Sequence, residues 1–302
     1  MERTIRYEIP PEMVGHKISE FLHRKGFSNQ NLTELKKMNR SILINGEWEY
    51  MTYRLQAGDV LEVCIQETDV SQKIPPVELP FPVVYEDEDI VVVDKPAHMP
   101  IHPSMKNYEN TLGNAAAYYY KEQGKAFVYR CINRLDKDTT GLTILAKHMV
   151  SRSILYDAMT AREIHREYLA IVEGEDIADE GIVDLPLGRK EDSAIERMVD
   201  FEHGDRAVTH YRVLERKNGL TLLSLQLETG RTHQIRVHMK AIGHPLIGDF
   251  LYNPQNKQMQ RQALHSYKLS FTHPITGEGL HFRTSLPEDM KKWFPTWKDT
   301  RE

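Results

Sequence analysis

The chain has 302 residues, of which 40% are hydrophobic and 27% are charged, as is normal for a soluble globular protein with one large or two ordinary domains. Its net charge of −5 argues against a nonspecific binder of polyanions, although a local basic stripe would be enough for RNA binding. No apolar run approaches the roughly 18 residues of a membrane-spanning helix, and the first residues lack the apolar stretch of a secretion signal. The two cysteines, Cys64 and Cys131, lie far apart, which excludes a disulfide scaffold and a cysteine-based zinc site. We therefore expect a cytoplasmic protein that does not enter a membrane.

Residues 1–70 predict a small α+β unit. Apolar residues spaced as one helix face indicate a short helix from Ile18 to Gly26 and a second over residues 32–38. A strand at 42–44 runs into an Asn-Gly hairpin turn, and a last strand covers 60–65. The same unit carries a basic stripe, because residues 16–40 hold six cations and two anions.

Two pieces of this unit, residues 42–46 and 55–59, resemble the small RNA-binding domain shared by a ribosomal small-subunit protein and tyrosyl-tRNA synthetase. In such domains a helix pair presents basic residues to RNA, so the resemblance implies that Lys36, Lys37 and Arg40 bind RNA. A solvated helix face is the alternative for these three residues.

Residues 71–82 predict a stiff, extended linker. Four prolines lie between positions 70 and 82, and they cannot continue a helix or a central strand.

The remaining chain, residues 83–297, predicts an α+β domain built on a mixed, mainly antiparallel sheet with flanking helices. Strand-like segments outnumber helical ones, which is typical of that architecture. The predicted strands are residues 83–85, 90–93, 142–146, 167–172, 206–214 and 220–227, and the predicted helices are residues 111–122 and 150–162. A further helix is predicted to start at Thr232 as its cap and to end at Gly243.

The turn at residues 133–143 holds one carboxylate, Asp136, between Arg134 and Lys137. Neighbouring cations favour the ionised form, so we expect its pKa at or below about 3.9. An ionised aspartate in a loop between rigid elements suits a nucleophile or a metal ligand. It suits a general acid poorly, because that task needs a raised pKa.

Three interpretations of this turn compete. An ordinary surface hairpin would use the same Asp, Thr and Gly residues. A calcium loop would need a glutamate at its twelfth position, and Lys147 stands there, so calcium is excluded. A phosphorylated aspartate, as in transport ATPases, would need membrane spans and a spacing one residue shorter.

Two further segments carry candidate functional residues. In residues 230–245, Arg236 and Lys240 share a helix face, which is tolerable if a carboxylate lies opposite. His233 and His238 are five residues apart, roughly 140° around a helix, so they do not converge on a metal. Tyr168 lies on a strand with Ala170 and Val172 on the same face, and it belongs either to the core or to a platform for a base.

Together, these segments resemble the RluA/RluD type of pseudouridine synthase. The ordered match covers about residues 80–295 and runs through 94–103, 134–141, 166–170, 229–238, 243–249 and 264–266. The small N-terminal RNA-binding domain is a usual companion of this family. This chain departs from the family pattern at two positions. It has Asn133 where the family usually has His, and Thr140 where the family usually has Ser.

The resemblance implies an isomerase that needs no cofactor and no metal and acts on structured ribosomal or transfer RNA, with ribosomal RNA the preferred expectation. Asp136 would be the catalytic carboxylate, attacking the anomeric carbon or removing a ribose proton. Arg236 would pair with it, and Tyr168 would stack on the uracil and assist proton removal at carbon 5. Arg134 would fill the gap left by the flipped nucleotide. The other expected substrate contacts are Thr140, Arg231, His233 and Gln234. We expect the protein to be a monomer.

Two other functions remain open. The chain could be an RNA-binding module with an inactive synthase fold, such as a ribosome-assembly factor, although Asp136, Tyr168 and Arg236 are all present. It could also be a phosphoryl-transfer hydrolase that uses Asp136, although the sequence shows no second acidic metal-binding motif.

Overall fold

A computed structural model describes residues 1–105, 107–193 and 195–298. The N-terminal part forms a four-stranded antiparallel sheet in the order β1-β4-β2-β3, packed against two helices around its own hydrophobic cluster. Its elements are β1 (Glu2–Glu8), α1 (Ile18–Arg24), α2 (Asn29–Lys37), β2 (Ile42–Ile44), β3 (Glu47–Trp48) and β4 (Val60–Gln66). Both predicted helices and both predicted strands are confirmed, and the edge strand β1 is an addition that the sequence reasoning did not predict.

Helix α2 begins earlier than its apolar residues alone suggested because a capping box starts it. The Ser28 hydroxyl accepts a hydrogen bond from the Asn31 amide, and the Asn31 side chain accepts one from the Ser28 amide. Lys36 and Lys37 then fall in the last turn, where cations are favourable.

Residues 67–82 contain neither helix nor strand, as the four prolines require. The segment nevertheless packs against the larger sheet, because Ile74, Leu79 and Phe81 contact the main hydrophobic cluster of that sheet. The side-chain amide of Asn114 also donates a 2.7 Å hydrogen bond to the Pro75 carbonyl.

The larger part of the described chain is built on a nine-stranded sheet in the order β5-β6-β7-β14-β8-β13-β12-β9, with β15 paired to β14. Neighbouring strands are antiparallel except β7 and β14, so the predicted mixed, mainly antiparallel α+β class is confirmed. Its strands are β5 (Val83–Glu86), β6 (Ile90–Lys95), β7 (Thr140–Ala146), β8 (His165–Glu173), β9 (Glu180–Asp184), β12 (Val208–Lys217), β13 (Leu220–Leu227), β14 (Leu264–Thr272) and β15 (Gly279–Arg283). A separate hairpin pairs β10 (Leu187–Arg189) with β11 (Arg197–Val199).

Helices cover both faces of this sheet. They are α3 (Leu112–Glu122), α4 (Met149–Thr160), α5 (Gln234–Ala241) and α6 (Glu288–Lys291). Strand β8 shows the resulting burial: Tyr168 faces the cluster that includes α3 and α5, whereas Leu169 faces the cluster that includes α6. This alternation confirms the predicted common face of Tyr168, Ala170 and Val172.

Buried polar contacts join the two sheets at the start of α4. The Arg3 guanidinium donates to Asp89, whose carboxylate also bonds the buried His148 ring at 2.8 Å. Glu67 accepts from Arg130 and from the Met149 amide. The N-terminal sheet is therefore held in a defined position relative to α4, one turn of which reaches the cavity described below.

Candidate active site

The Asp136 turn is fixed by Asn133 and by a close approach of two strands. The Asn133 side chain is 1% exposed and bonds both ways to β7, donating to the Leu142 carbonyl and accepting from the Ile144 amide. At Gly141, φ is +109° and an added Cβ would lie 2.2 Å from the Ser266 carbonyl oxygen, so this position needs glycine. Asn133 thus acts as a scaffold residue of the turn, with its amide already used by the backbone.

The turn presents Asp136 to a cavity of about 550 Å³ on the α5 side of the sheet. Asp136, Tyr168 and Arg236 all line this cavity, so the structure brings together the three residues predicted to be catalytic. Four of the predicted substrate contacts also line the cavity, namely Arg134, Arg231, His233 and Gln234.

Arg236 joins two carboxylates. Its Nη1 donates to Asp136 Oδ2 at 3.1 Å, while Nε and Nη2 donate to the two oxygens of Asp249 at 2.7 and 2.8 Å. Burial disfavours the charged guanidinium, but the hydrogen bonds and charges of the two aspartates outweigh it and raise the pKa of Arg236. Its guanidinium also lies 4.9 Å from the ring centroid of Tyr252. The predicted Asp136–Arg236 pair is therefore present, and the two hydrogen bonds from Arg236 to Asp249 hold the guanidinium in place.

Helix α5 starts in a way that corrects two predictions. Its N-cap is His233, in the left-handed region at φ 58°, rather than Thr232, and no side-chain capping bond is made there. Gln234 instead organises the approach to the helix: its oxygen accepts from the Thr229 hydroxyl and the Arg231 amide, and its nitrogen donates to the Val208 carbonyl and the Thr209 hydroxyl. With every bonding position of this amide in use, Gln234 does not fit the predicted substrate contact and acts as a positioning residue.

Tyr168 combines the two interpretations left open by the sequence. Its ring is only 4% exposed and belongs to the core, yet it also forms part of the cavity wall. In the described parts of the chain, its hydroxyl makes no hydrogen bond. The ring is thus held rigidly while its polar end is available to a ligand.

The three polar residues at the cavity differ in how firmly they are held. Arg134 is exposed at the rim. Arg231 pairs with Asp205 at 3.2 Å. The His233 ring bonds the Tyr252 hydroxyl at 2.9 Å and lies 3.8 Å from Asp136, and burial lowers the pKa of the ring.

Thr140 corrects another prediction, because it lies outside the cavity. It is the first residue of β7, and its hydroxyl bonds Nδ1 of the buried His265 at 2.8 Å. The hydroxyl is thus used between two neighbouring strands rather than by a substrate.

We expect the buried His265 to make the protein less stable in mild acid. Burial lowers the pKa of His265 to about 3, while an unfolded chain keeps a value near 6.5. Between these values only the unfolded state binds the proton, so stability falls as the pH drops from 6.5 towards 3. Urea midpoints measured from pH 7 to pH 5 should decline more steeply in the wild type than in His265→Gln. Parallel curves would contradict this assignment.

Lys36 and Lys37 lie in the last turn of α2 and Arg40 lies in the turn between α2 and β2, and the structure does not bring them to the cavity. All three are exposed. Lys37 pairs with Glu34, and Arg40 donates to the Gly46 carbonyl.

Sequence reasoning missed two buried residues behind the site. Asp249 holds Arg236. It follows Gly248 in one of the motifs that match the family, so the sequence contained a clue to it, but no role was predicted for that motif. Lys95 is fully buried, and its three ammonium donors reach the carbonyls of Pro96, Met99 and Lys137 at 2.8, 2.9 and 3.0 Å. Burial lowers the pKa of Lys95 to about 7. The last of these bonds fixes the residue next to Asp136.

Among the described residues, one group of side chains has the composition of a metal site, namely Asp87, Asp89 and His273, whose ligand atoms lie within 4.8 Å of one another. Its hydrogen bonds do not fit a metal. His273 Nδ1 accepts from the Ile275 and Thr276 amides, so Nε2 carries the proton and donates to Asp87. Asp89 is already used by Arg3 and His148. We interpret the group as part of the packing between the two sheets.

Comparison with known proteins decides what kind of enzyme this cavity belongs to. Residues 89–241 match the family described as RNA pseudouridylate synthase. The chain belongs to this family. The synthase is therefore an isomerase that converts uridine in RNA to pseudouridine, and this span contains the Asp136 turn, Tyr168 and Arg236.

Relatives match the synthase along most of its length. The uncharacterized RNA pseudouridine synthase YjbO of Bacillus subtilis is 40% identical over 275 residues, which are 91% of this chain and 97% of the relative. The ribosomal large subunit pseudouridine synthase D of Pasteurella multocida is 36% identical over 304 residues, 95% of this chain and 93% of that protein. The resemblance to the RluA/RluD type is thus confirmed.

Solved structures share the fold of the synthase. Human RNA Pseudouridylate Synthase Domain Containing 1 superimposes with a TM-score of 0.59 at 24% identity, covering 70% of this chain and 85% of its own. Human RNA Pseudouridylate Synthase Domain Containing 4 superimposes with a TM-score of 0.55 at 22% identity, covering 69% of this chain and 90% of its own. None of the helices in the described ranges combines the length and the apolar composition needed to cross a bilayer.

Proposed function

We propose that the synthase isomerises specific uridines in structured ribosomal RNA, with ionised Asp136 as the catalytic carboxylate. The observation that carries this proposal is the 3.1 Å pair between Asp136 and Arg236, two residues 100 positions apart that meet in a cavity lined by Tyr168. Relatives named for the large ribosomal subunit support ribosomal RNA as the substrate class.

The reaction breaks the bond from ribose carbon 1 to uracil nitrogen 1 and forms a bond from the same carbon to uracil carbon 5. Asp136 either attacks carbon 1 or removes a ribose proton, and both roles need the ionised carboxylate. Arg236 stays charged because of Asp249 and holds Asp136 towards the cavity. Carbon 5 loses one proton and nitrogen 1 gains one, so the isomerisation balances, and the Tyr168 hydroxyl assists removal of the proton from carbon 5.

The target nucleotide enters the cavity by flipping out of its helix, which costs a few kcal/mol. A volume of about 550 Å³ is within the range of small-molecule sites, which supports entry of one nucleotide. Arg134, exposed at the rim, fills the place of the flipped base, and Arg231 and His233 contact the substrate from the start of α5.

We infer that the chain works as two domains, with residues 1–70 as an RNA-binding domain, 71–82 as the linker and 83–297 as the catalytic domain. Lys36, Lys37 and Arg40 then contact RNA outside the cavity, and their exposure supports this. The proposal includes a monomeric, cytoplasmic enzyme that uses no cofactor.

The test is a map of pseudouridines across total RNA, made by carbodiimide labelling and reverse-transcription stops. Deletion cells are complemented with the wild-type gene, with Asp136→Asn or with nothing. The proposal expects one or a few discrete stops in ribosomal RNA that only the wild-type gene restores. Stops confined to transfer RNA would contradict the substrate class, and an Asp136→Asn map equal to the wild type would contradict the catalytic assignment.

We predict that Tyr168→Phe keeps RNA affinity near the wild type, whereas Tyr168→Ala weakens it by roughly 1–3 kcal/mol. The phenyl ring preserves the stacking surface, and alanine removes it. Fluorescence anisotropy with an unmodified fragment containing the mapped uridine measures both affinities. Thermal unfolding of each variant is the control, because the ring also belongs to the core. Equal affinities for the two variants would argue against a stacking platform.

A further inference from the structure

Arg166 is a cation of the catalytic cavity that no step of the proposed reaction uses. It lies on β8 two residues before Tyr168, so both side chains leave the same face of the strand. It lines the Asp136 cavity and also an adjoining cavity of about 460 Å³. Arg162, Leu227 and Glu228 form the remainder of the wall that the two cavities share.

Three other arginines around the catalytic cavity have carboxylate partners. Arg236 pairs with Asp136 and Asp249, Arg231 with Asp205, and Arg162 with Glu228. Arg166 has no ion pair within the described residues, and its Nε is buried without an acceptor. Unlike Arg134, which is exposed to water, Arg166 is half-buried.

A half-buried guanidinium without an anion is costly. It cannot lose its proton, and a buried donor without an acceptor loses the hydrogen bond that it makes to water in the unfolded chain. An arrangement of this kind is stable in a binding site when the ligand supplies the anion.

The terminal nitrogens of Arg166 are accessible because the turn before α5 has no side chain over them. Gly230 lies on that side, and an added Cβ there would be 3.5 Å from Nη1 and 3.6 Å from Nη2. A side chain at this position would cover the guanidinium. Glycine leaves space for a ligand group between the turn and the strand.

The adjoining cavity carries a net positive charge. Its lining includes Arg162, Arg166 and Lys268 together with two histidines, against Glu167 and Glu228. Glu228 is held by Arg162, Arg206 and His210 at 3.3, 3.2 and 2.8 Å, and the hydrogen bond from His210 is the main reason why its pKa is lowered. Three cations (Arg162, Arg166 and Lys268) face two carboxylates (Glu167 and Glu228), so the cavity keeps one net positive charge.

We propose that Arg166 binds a backbone phosphate beside the target uridine, and that the adjoining cavity receives the next nucleotide of the same RNA strand. The planar guanidinium fork matches phosphate oxygens and would gain the anion that the protein does not provide. This inference rests on the proposed function, because it takes RNA as the ligand of the catalytic cavity.

The experiment measures binding of a fluorescein-labelled decauridylate to the full-length protein as a function of salt. The variants are Arg166→Gln, Arg166→Lys and, as matched control, Arg216→Gln, which removes a charge paired with Asp179 and lining neither cavity. Arg166→Gln should weaken binding about 10- to 100-fold at low salt. For Arg166→Gln, the slope of log affinity against log salt concentration should be smaller in magnitude by about 0.7, the value for one phosphate contact on a single strand. Arg166→Lys should keep most of this slope, and Arg216→Gln should keep all of it.

A weakened affinity with an unchanged salt slope would mean that Arg166 only supports the wall, and it would overturn the proposal. So would a wild type that does not bind decauridylate. The pseudouridine map separates the two proposals. Discrete stops together with an unchanged Arg166→Gln slope would refute the phosphate contact alone, whereas a shallower slope without any stops would refute the proposed function and leave the contact standing.

Discussion

Asp136→Asn is expected to reduce turnover by on the order of 10⁴-fold or more while leaving the fold and RNA binding intact. Asparagine keeps the shape of the side chain and can still accept from Arg236 Nη1, but it has no negative charge with which to attack carbon 1 or remove a proton. RNA carrying tritium at uracil carbon 5 measures the reaction directly, because this hydrogen must leave when the new carbon–carbon bond forms. Single-turnover conditions separate the chemical step from product release.

The turn provides a matched control in Asp138→Asn. Asp138 lies two residues away, pairs with the exposed His98 at 2.8 Å and does not line the cavity. Its variant should release tritium at nearly the wild-type rate. Equal, near-wild-type rates for both variants would remove Asp136 from the chemistry and would leave a binding protein with a synthase fold as the better explanation.

Periodicity and motif order were enough to predict the part of the site that depends on local sequence. Alternation along β8 predicted that Tyr168, Ala170 and Val172 share one face, and in the structure this is the face that carries the cavity. The pairing of Arg236 with Asp136 came from the ordered motifs, since no local pattern links residues 100 positions apart. The turn at Asp136 followed from its polar residues and from Gly141.

What could not be predicted depends on contacts between distant segments. Strand β14 lies at the centre of the sheet, yet its sequence mixes His265, Ser266 and Lys268 with apolar residues and does not alternate. Two of its buried polar side chains find partners on β7, where Thr140 bonds His265 and the Leu142 carbonyl accepts from Ser266. The same pairing takes Thr140 away from the cavity.

The starting region of α5 shows the same limitation. Thr232 has the chemistry of a helix cap, but the tertiary bonds of Gln234 draw the chain into a left-handed turn at His233 and move the cap by one residue. A motif match can identify Gln234 as important without revealing that its amide is fully used inside the protein.

Asp249→Asn is expected to cost roughly 3–5 kcal/mol of stability, because removing one partner of a buried pair leaves the other charge uncompensated. Asp249 is fully buried and Arg236 is 2% exposed. One oxygen of the new amide can still accept from the Leu251 and Tyr252 amides, as Asp249 Oδ1 does now. Its NH₂ group would then face Arg236 Nε, donor against donor. Thermal unfolding should show a midpoint lower by roughly 6–20 °C.

The same substitution should slow tritium release even where the protein is fully folded, well below its melting midpoint. Arg236 would lose the Nε bond and keep the Nη2 bond to the amide oxygen, so two bonds to one side chain would no longer fix the plane of its guanidinium. Its bond to Asp136 would then no longer hold the carboxylate in one position. Asp179→Asn is the control, because it also removes an arginine partner, that of Arg216, but at the surface, where ion pairs contribute about 0–1 kcal/mol. A variant that melts early but reacts at the wild-type rate would limit Asp249 to stability. Loss of both properties would mean that one buried carboxylate supports the fold and positions the catalytic aspartate through the same guanidinium.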